Sequence, residues 1–335
     1  MSDVAKGCAL VACAGGGFGD SLLASVVARA LHERYARVDA LTLPGHRAAL
    51  QRVPDVDAVL VDDGGDEASL AAKLCDSGYD AAVVTWATAR IARVLHRAKI
   101  PVRVGQARRL YSRLFTKRVV VRSETGDVTS HWTQVLLDYA RALDCDAADA
   151  IPRFVPTPED ESEAQSVAHE HGFQRGGFLI LHPANAIAST RAWPVRGWRA
   201  LALALGARFS MPVAVTGGRA DAELVRKICD GGAIPLAGRV GIGGFGALAS
   251  RTAAYVGITT GTMHVAASVG APTLGIFPFQ SDFPERWAPL GRKTVVVRAS
   301  YRCHDGDTKE RCRDYACIEH LDVPGIVDAL ASLLR

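Results

Sequence analysis

Twelve short apolar or β-branched runs alternate with longer helical patterns along the chain, and this alternation constrains the fold more than any other feature. Strand, helix, strand in succession calls for parallel pairing, because the crossover helix returns the chain to the same end of a sheet. In the first half the predicted strands are CALVAC, RVDALTL, DAVLV, DAAVVTW, PVRVG and RVVVR. Helical patterns over 21–35, 67–75 and 87–97 lie between them, and a long amphipathic segment, 131–143, closes the half. The second series runs GFLILHP, MPVAVTGG, AIPLAG, AAYVGIT, PTLGIF and KTVVVR, with helices predicted over 195–207, 220–229, 245–251, 262–269 and 324–334. Between the halves, DCDAADAIPRFVPTPEDE (144–161) holds three prolines, many acids and no periodicity, which predicts an interdomain linker. The expectation is α/β: two parallel-sheet domains, residues 1–150 and 151–335, without sequence repeat between them. A ligand would then lie in the crevice between the domains, against the carboxyl ends of the strands.

With 335 residues, 49% hydrophobic and 22% charged, the chain is long enough to bury two ordinary cores and is not of disordered composition. No run approaches the roughly 20 apolar residues that span a bilayer. LVAC (10–13) imitates a lipoprotein cleavage box, but the apolar stretch before it is too short for a signal peptide, so secretion is not expected. Five of the eight cysteines, Cys8, Cys13, Cys75, Cys145 and Cys229, are scattered, mostly in apolar segments, as suits a reducing cytoplasm. The formal charge of +4 is concentrated. From Arg90 to Arg118 there are ten basic residues and no acid: Arg90, Arg93, Arg97, Lys99, Arg103, Arg108, Arg109, Arg113, Lys117 and Arg118. Such a run is either a solvated face or a positive field that attracts an anionic partner, and the missing acids favour the field.

Three turns between strand and helix carry candidate chemistry. The first is GGGFGD, Gly15 to Asp20. As a dinucleotide fingerprint it fails, because Leu22 stands where a small residue is needed and no acid follows at the ribose position; it also lacks the lysine of a P-loop. Asp20 is then either an N-cap or a general base, with the glycines letting a substrate come close. The second turn, in ILHPANAIASTRAWPVRGW, holds Arg191 just before a helix, as a phosphate clamp or a surface ion pair. In the third, GITTGTMHVAASVGAPTLGIF, a strand ends in Thr259-Thr260-Gly261 and a helix opens on Thr262, so that free amides and the helix dipole favour an anion. His264 lies in that first turn.

In this order, Gly17-x-Gly19-Asp20-x-Leu22-Leu23, RAWP after an HP strand, VTGG, LAG, TGTMHVAA and FPFQSDFPERWAPLG resemble the ADP-heptose:lipopolysaccharide heptosyltransferases of glycosyltransferase family 9. The resemblance covers nearly the whole chain. It implies a GT-B arrangement of two Rossmann-like domains, the N-terminal one binding a sugar acceptor and the C-terminal one a nucleotide-sugar donor. It also leaves room for the last helix to pack back on the N-terminal domain. Asp20 matches the family's catalytic base. The donor set implied is His182, Asn185, Arg191, Thr216, Gly217, Asp221, Thr259, Thr260, Gly261, Thr262 and His264. The acceptor set is Gly17, Gly19, Arg90, Arg93, Arg108 and Arg109. Arg191 replaces a lysine of the family, and Asp221 a glutamate. Thr259 stands where the family carries an acid, which puts the donor's identity in question.

The activity implied is inverting transfer of a sugar, with heptose the expected sugar and ADP-heptose the donor it suggests, and with no metal or other cofactor required. The acceptor implied is an anionic glycolipid of the lipopolysaccharide core, met by a cytoplasmic protein at the inner membrane face, and no nucleic acid is expected. A nucleotide-sugar epimerase and a non-catalytic sugar-nucleotide-binding protein are the alternatives. Cys303, Cys312 and Cys317, with His304 and His320 nearby, have the spacing C-x8-C-x4-C, which is not a standard zinc pattern, and a thiol-lined structural turn is expected there.

Overall fold

The structure, a computed structural model, describes residues 7–183, 193–279, 282–301, 312 and 315–335. The chain divides into two compact units, Met1–Val155 and Pro156–Arg335. The N-terminal sheet contains β1 Cys8–Cys13, β2 Arg37–Thr42, β3 Val59–Val61, β4 Ala81–Trp86, β5 Val102–Gln106 and β6 Lys117–Val119. Its order is β3-β2-β1-β4-β5-β6, and every pairing is parallel. Strands flanked on both sides and covered on both faces must be apolar throughout, which is why Ala9–Ala12 and Ala81–Val84 are all buried. One face is sealed by Leu70 and Leu74 of the helix Glu67–Asp76 together with Ile91 and Leu95 of the helix Ala89–Arg97. The helix Phe18–Leu31 packs against Trp132–Arg141.

The C-terminal sheet contains β7 Leu179–His182, β8 Val213–Gly217, β9 Ile234–Ala237, β10 Ala254–Ile258, β11 Thr273–Phe277 and β12 Thr294–Arg298. Its order, β12-β11-β10-β7-β8-β9, is the same pattern of outward winding, again parallel. Its core joins Leu179, Leu181, Val213, Val215, Val256 and Ile276 with Leu201 and Leu205 of the helix Val195–Phe209. The last helix, Val323–Leu334, sends Ile326, Val327 and Leu330 into this same core.

Several helix boundaries differ from the sequence expectation, and the largest difference is in the linker. The linker ends at Thr157, and a helix runs from Pro158 to His171. Thr157 and Asp160 close a capping box, Asp160 accepting from the Thr157 amide at 2.9 Å, and Gly172 ends the helix at φ +67°. The helix packs on Ile242–Ala249, where side chains of Asp160 and Glu163 lie against Gly243 and Gly244. That close approach explains two glycines inside a helix, and the start of that helix three residues earlier than expected.

Candidate functional site

In each sheet there is one place where neighbouring strands lead off in opposite directions: between β1 and β4, and between β7 and β10. Ligands of open parallel sheets bind outside the carboxyl ends of such strands, because the diverging connections leave a crevice there. Two of the three turns singled out in the sequence, Gly15–Asp20 and Thr259–His264, lie at these two places, and the third, after β7, falls outside the described residues from 184 to 192.

At the N-terminal switch point, β1 runs through Ala14 to Gly17 into the helix Phe18–Leu31. Gly17 is the N-cap, so Asp20 is the third residue of the helix, and its carboxylate turns back to accept from the Gly17 amide at 2.8 Å. Gly19 is the second residue, half-buried. Burial raises the Asp20 carboxyl above its ordinary value, while the Gly17 amide and His46 pull the other way. His46 ends a short turn after β2, and burial lowers its own pKa, opposed by Asp20. Its Nδ1 is 2.9 Å from Ser21 Oγ, which in turn lies 3.3 Å from Thr42 Oγ1. Thr42 donates to the Cys13 carbonyl at 3.1 Å, so the polar groups beneath Asp20 are bonded to one another.

The glycines have a use that the sequence did not disclose. Trp86, the last residue of β4, lies against this loop. A Cβ on Gly15 would overlap the Cδ1–Nε1 edge of the indole, and one on Gly16 would come 2.5 Å from the Asp20 carboxylate and 3.1 Å from the ring's far edge. Gly16 also has φ +67°, a conformation that glycine adopts without strain. Trp86, His46, Ser21 and Thr42 were all missed by the sequence analysis. The one signal available was a tryptophan closing an otherwise buried strand.

The basic run is less bare than its sequence implies. Arg90 is bidentate to the buried Asp62, at 2.7 and 3.0 Å, and holds that carboxyl below its ordinary value. Arg93 and Arg97 clasp Glu67, and Arg109 pairs with Glu124 at 3.0 Å while Arg108 donates to the Glu124 carbonyl. The compensating acids come from outside residues 90–118, where a local count cannot see them. Leu110 stands among Arg108, Arg109 and Arg113 with 91% of its surface exposed.

At the C-terminal switch point, Thr260 caps the helix Gly261–Ser268, which thus begins one residue earlier than expected. Thr259 and Thr260 are half-buried, and the Thr260 and Thr262 hydroxyls lie 2.9 Å apart. Tyr255, buried in β10, brings its hydroxyl within 3.1 Å of Thr262 Oγ1. On the neighbouring strands, His182 Nδ1 is 2.8 Å from Thr216 Oγ1, and the His182 ring stacks on Tyr255 with Phe245 edge-on to both. Burial lowers the His182 pKa to about 4, so the ring is neutral near pH 7; Asp221 opposes the shift. Asp221 follows Gly217 and accepts from the Gly218 amide at 2.8 Å. His264 is buried under the first turn. The sequence therefore named His182, Thr216, Gly217, Asp221 and Thr259 to His264 at one sheet end, but not Tyr255 or Phe245. Asn185 and Arg191 lie outside the described residues, as do Cys303 and His304. Cys317 is buried, and Cys312 Sγ accepts from the Tyr315 amide at 3.3 Å. Among the described residues no group of three or more His, Cys, Asp or Glu is placed to hold a metal, and no helix is long and apolar enough to cross a membrane.

Two outward-wound parallel sheets, each with a polar turn at its switch point, define a two-domain α/β protein of the kind that binds nucleotide-linked substrates. The chain belongs to glycosyltransferase family 9 (heptosyltransferase), whose family model matches residues 68–316, and it is a glycosyltransferase. The structure is similar to that of the glycosyl transferase family 9 from Veillonella parvula DSM 2008 (TM-score 0.81, 16% identity, covering 100% of this chain and 98% of that one). It is also similar to E. coli ADP-heptose lps heptosyltransferase II (0.78, 20%, 98% and 98%) and to E. coli heptosyltransferase WaaC with ADP (0.73, 14%, 97% and 99%). These likenesses establish the α/β two-domain GT-B fold. Comparison with curated protein sequences gives no match.

Proposed function

We propose that the chain transfers a sugar, a heptose, from ADP-heptose to a hydroxyl of a lipopolysaccharide-core acceptor with inversion, and that Asp20 is the general base. The observation that carries this reading is the Asp20 carboxyl itself, raised by burial and fixed by the Gly17 amide at the N-terminal switch point. An acceptor hydroxyl is a weak nucleophile near neutral pH. As its oxygen attacks the anomeric carbon, its proton passes to Asp20, and the bond from that carbon to the diphosphate breaks with its electron pair on the leaving phosphate oxygen. A carboxyl of raised pKa is the better base for this step.

The donor's diphosphate is assigned to the C-terminal unit, where the free amides at the start of Gly261–Ser268 and the hydroxyl of Thr262 supply donors to an anion, while the Thr260 hydroxyl donates to the Ile258 carbonyl. Arg191 and Asn185 belong to the same assignment, as do His182 and Thr216 beneath the turn and Gly217 and Asp221 near the nucleoside. Charge developing on the leaving diphosphate is offset by these donors, without a metal. The acceptor side comprises Gly17, Gly19 and the cations Arg90, Arg93, Arg108 and Arg109. Leu110 with its arginines fits a cytoplasmic protein docked on an anionic membrane face. The testing experiment is transfer from ADP-heptose to core oligosaccharide, read with donor binding in parallel. Donor binding without transfer, for the intact chain, would favour a binding protein instead.

A further inference from the structure

Where β4 runs beside β1, the register shifts: Ala12 faces Val84, but Cys13 faces Trp86. One extra residue, Thr85, is thus taken up on β4; its side chain is buried and donates to the Ala12 carbonyl. An extra residue of this kind re-aims the side chain that follows. Here it turns Trp86 out of the sheet and over the Gly15–Gly16 backbone. The pyrrole side of the indole lies on Gly15, the far edge of the benzene ring reaches Gly16, and the Asp20 carboxylate lies against the same glycine. A Cβ at either glycine would lift the ring. The indole is 37% exposed, whereas Trp193 and Trp198 are 6% and 3% exposed within the other unit's core. Seated on backbone, it already has its rotamer restricted, so a partner binding on its open face orders little more.

We propose that Trp86 is the stacking platform of the sugar acceptor: a pyranose ring lays its C–H face on the indole and thereby presents a hydroxyl to Asp20. The inference rests on the reading of the N-terminal switch point as an acceptor site. The π-face carries the negative end of the ring quadrupole, and the C–H face of a pyranose is the apolar, weakly positive side of a sugar. Hydroxyls project around that ring's rim, and the Asp20 carboxylate lies against Gly16, the same glycine that the far edge of the indole reaches, so a sugar lying flat on Trp86 has hydroxyls on the side of the base. The neighbouring carboxylate disfavours a phosphate-bearing nucleotide in the same place, which makes an uncharged ring the fitting occupant. Trp86 is a specificity-determining residue in this account, and Asp20 keeps the chemistry.

The test uses the full chain as Asp20→Asn, with its tryptophan indoles labelled with 15N and the Trp86 resonance assigned by Trp86→Phe. Deacylated lipopolysaccharide core oligosaccharide and, separately, ADP are titrated in. The expected result is a shift of the Trp86 indole resonance with the oligosaccharide and none with ADP. In steady-state transfer by the otherwise wild-type chain, Trp86→Ala is expected to raise KM for the oligosaccharide about tenfold, leaving KM for ADP-heptose unchanged, while Trp86→Phe stays within about threefold of wild type. A Trp86 resonance that ignores the oligosaccharide, or that answers to ADP instead, overturns the proposal. Persistence of turnover in Asp20→Asn overturns the Asp20 reading alone, because the resonance shift does not depend on turnover.

Discussion

Asp20 is asked to do two things, and two substitutions separate them. Its carboxylate closes the first turn of Phe18–Leu31 by accepting from the Gly17 amide, and it is the proposed base. Asn keeps an oxygen where that amide needs one but cannot take the acceptor's proton; Ala loses both. Removing a general base slows transfer by about 10²–10⁴-fold, so both variants are expected to lose kcat on that scale, with donor affinity unchanged. Stability should split them. Burial raises the Asp20 pKa in the folded chain, so its contribution to stability is full below its unfolded value and declines as pH rises through the folded one. At pH 7 an Asn that cannot ionise is therefore as stable as Asp or more so. Ala forfeits one hydrogen bond, about 1 kcal/mol, or roughly 2–4 °C in Tm for a chain of this size. The acid limb of wild-type kcat, which reports the carboxylate form, should lie above the ordinary Asp value of 3.8 and vanish in Asp20→Asn. The assays are transfer from ADP-heptose across pH, calorimetric donor titration, and thermal melts. Asp20→Asn retaining transfer within tenfold of wild type would refute the assignment; so would loss of donor binding in step with transfer.

Three further outcomes are expected. Because burial lowers His182 from 6.5 to about 4, the C-terminal unit should lose up to about 3 kcal/mol as pH falls through that window; His182→Gln should flatten the decline, and a denaturant series against pH reads it. Gly15→Ala drives a methyl into the Cδ1–Nε1 edge of the Trp86 indole and should cost roughly 1–3 kcal/mol, most of which Trp86→Ala restores in the double variant; simple additivity in the urea midpoints would contradict the contact. Leu110→Glu, at a fully solvated position, should leave Tm unchanged and weaken sedimentation with phosphatidylglycerol vesicles about tenfold, and equal binding by both chains would remove this residue from any membrane contact.

The strands were legible because a parallel sheet covered on both faces leaves its members no choice but continuous apolar sequence, and β1, β4, β7 and β10 all have it. The helix Pro158–His171 was hidden by the same logic turned round: its sequence, PEDESEAQSVAHEH, is polar on most faces because it covers little more than the glycines of Ile242–Ala249. Yet its capping signal, Thr157-Pro158-x-Asp160, was present to be read. The site divides in a comparable way. Groups carried on one turn, such as Thr260 to His264 or Gly17 to Asp20, are neighbours in sequence and could be read together. Trp86 reaches the glycines before Asp20 from β4, and His46 acts on Asp20 from the turn after β2, and only the strand order β2-β1-β4 brings them there. The basic run misled for the mirror reason, since Asp62, Glu67 and Glu124 approach it from sequence on either side. Glycines show the limit most plainly. Gly15 and Gly16 can be read as room for a ligand, but the space their missing Cβ atoms leave is already occupied by an indole and a carboxylate of the chain itself. A glycine run at a switch point therefore marks a close approach without saying by what. Here the approach is by Trp86 and Asp20, and the ligand's room is whatever face those two leave open.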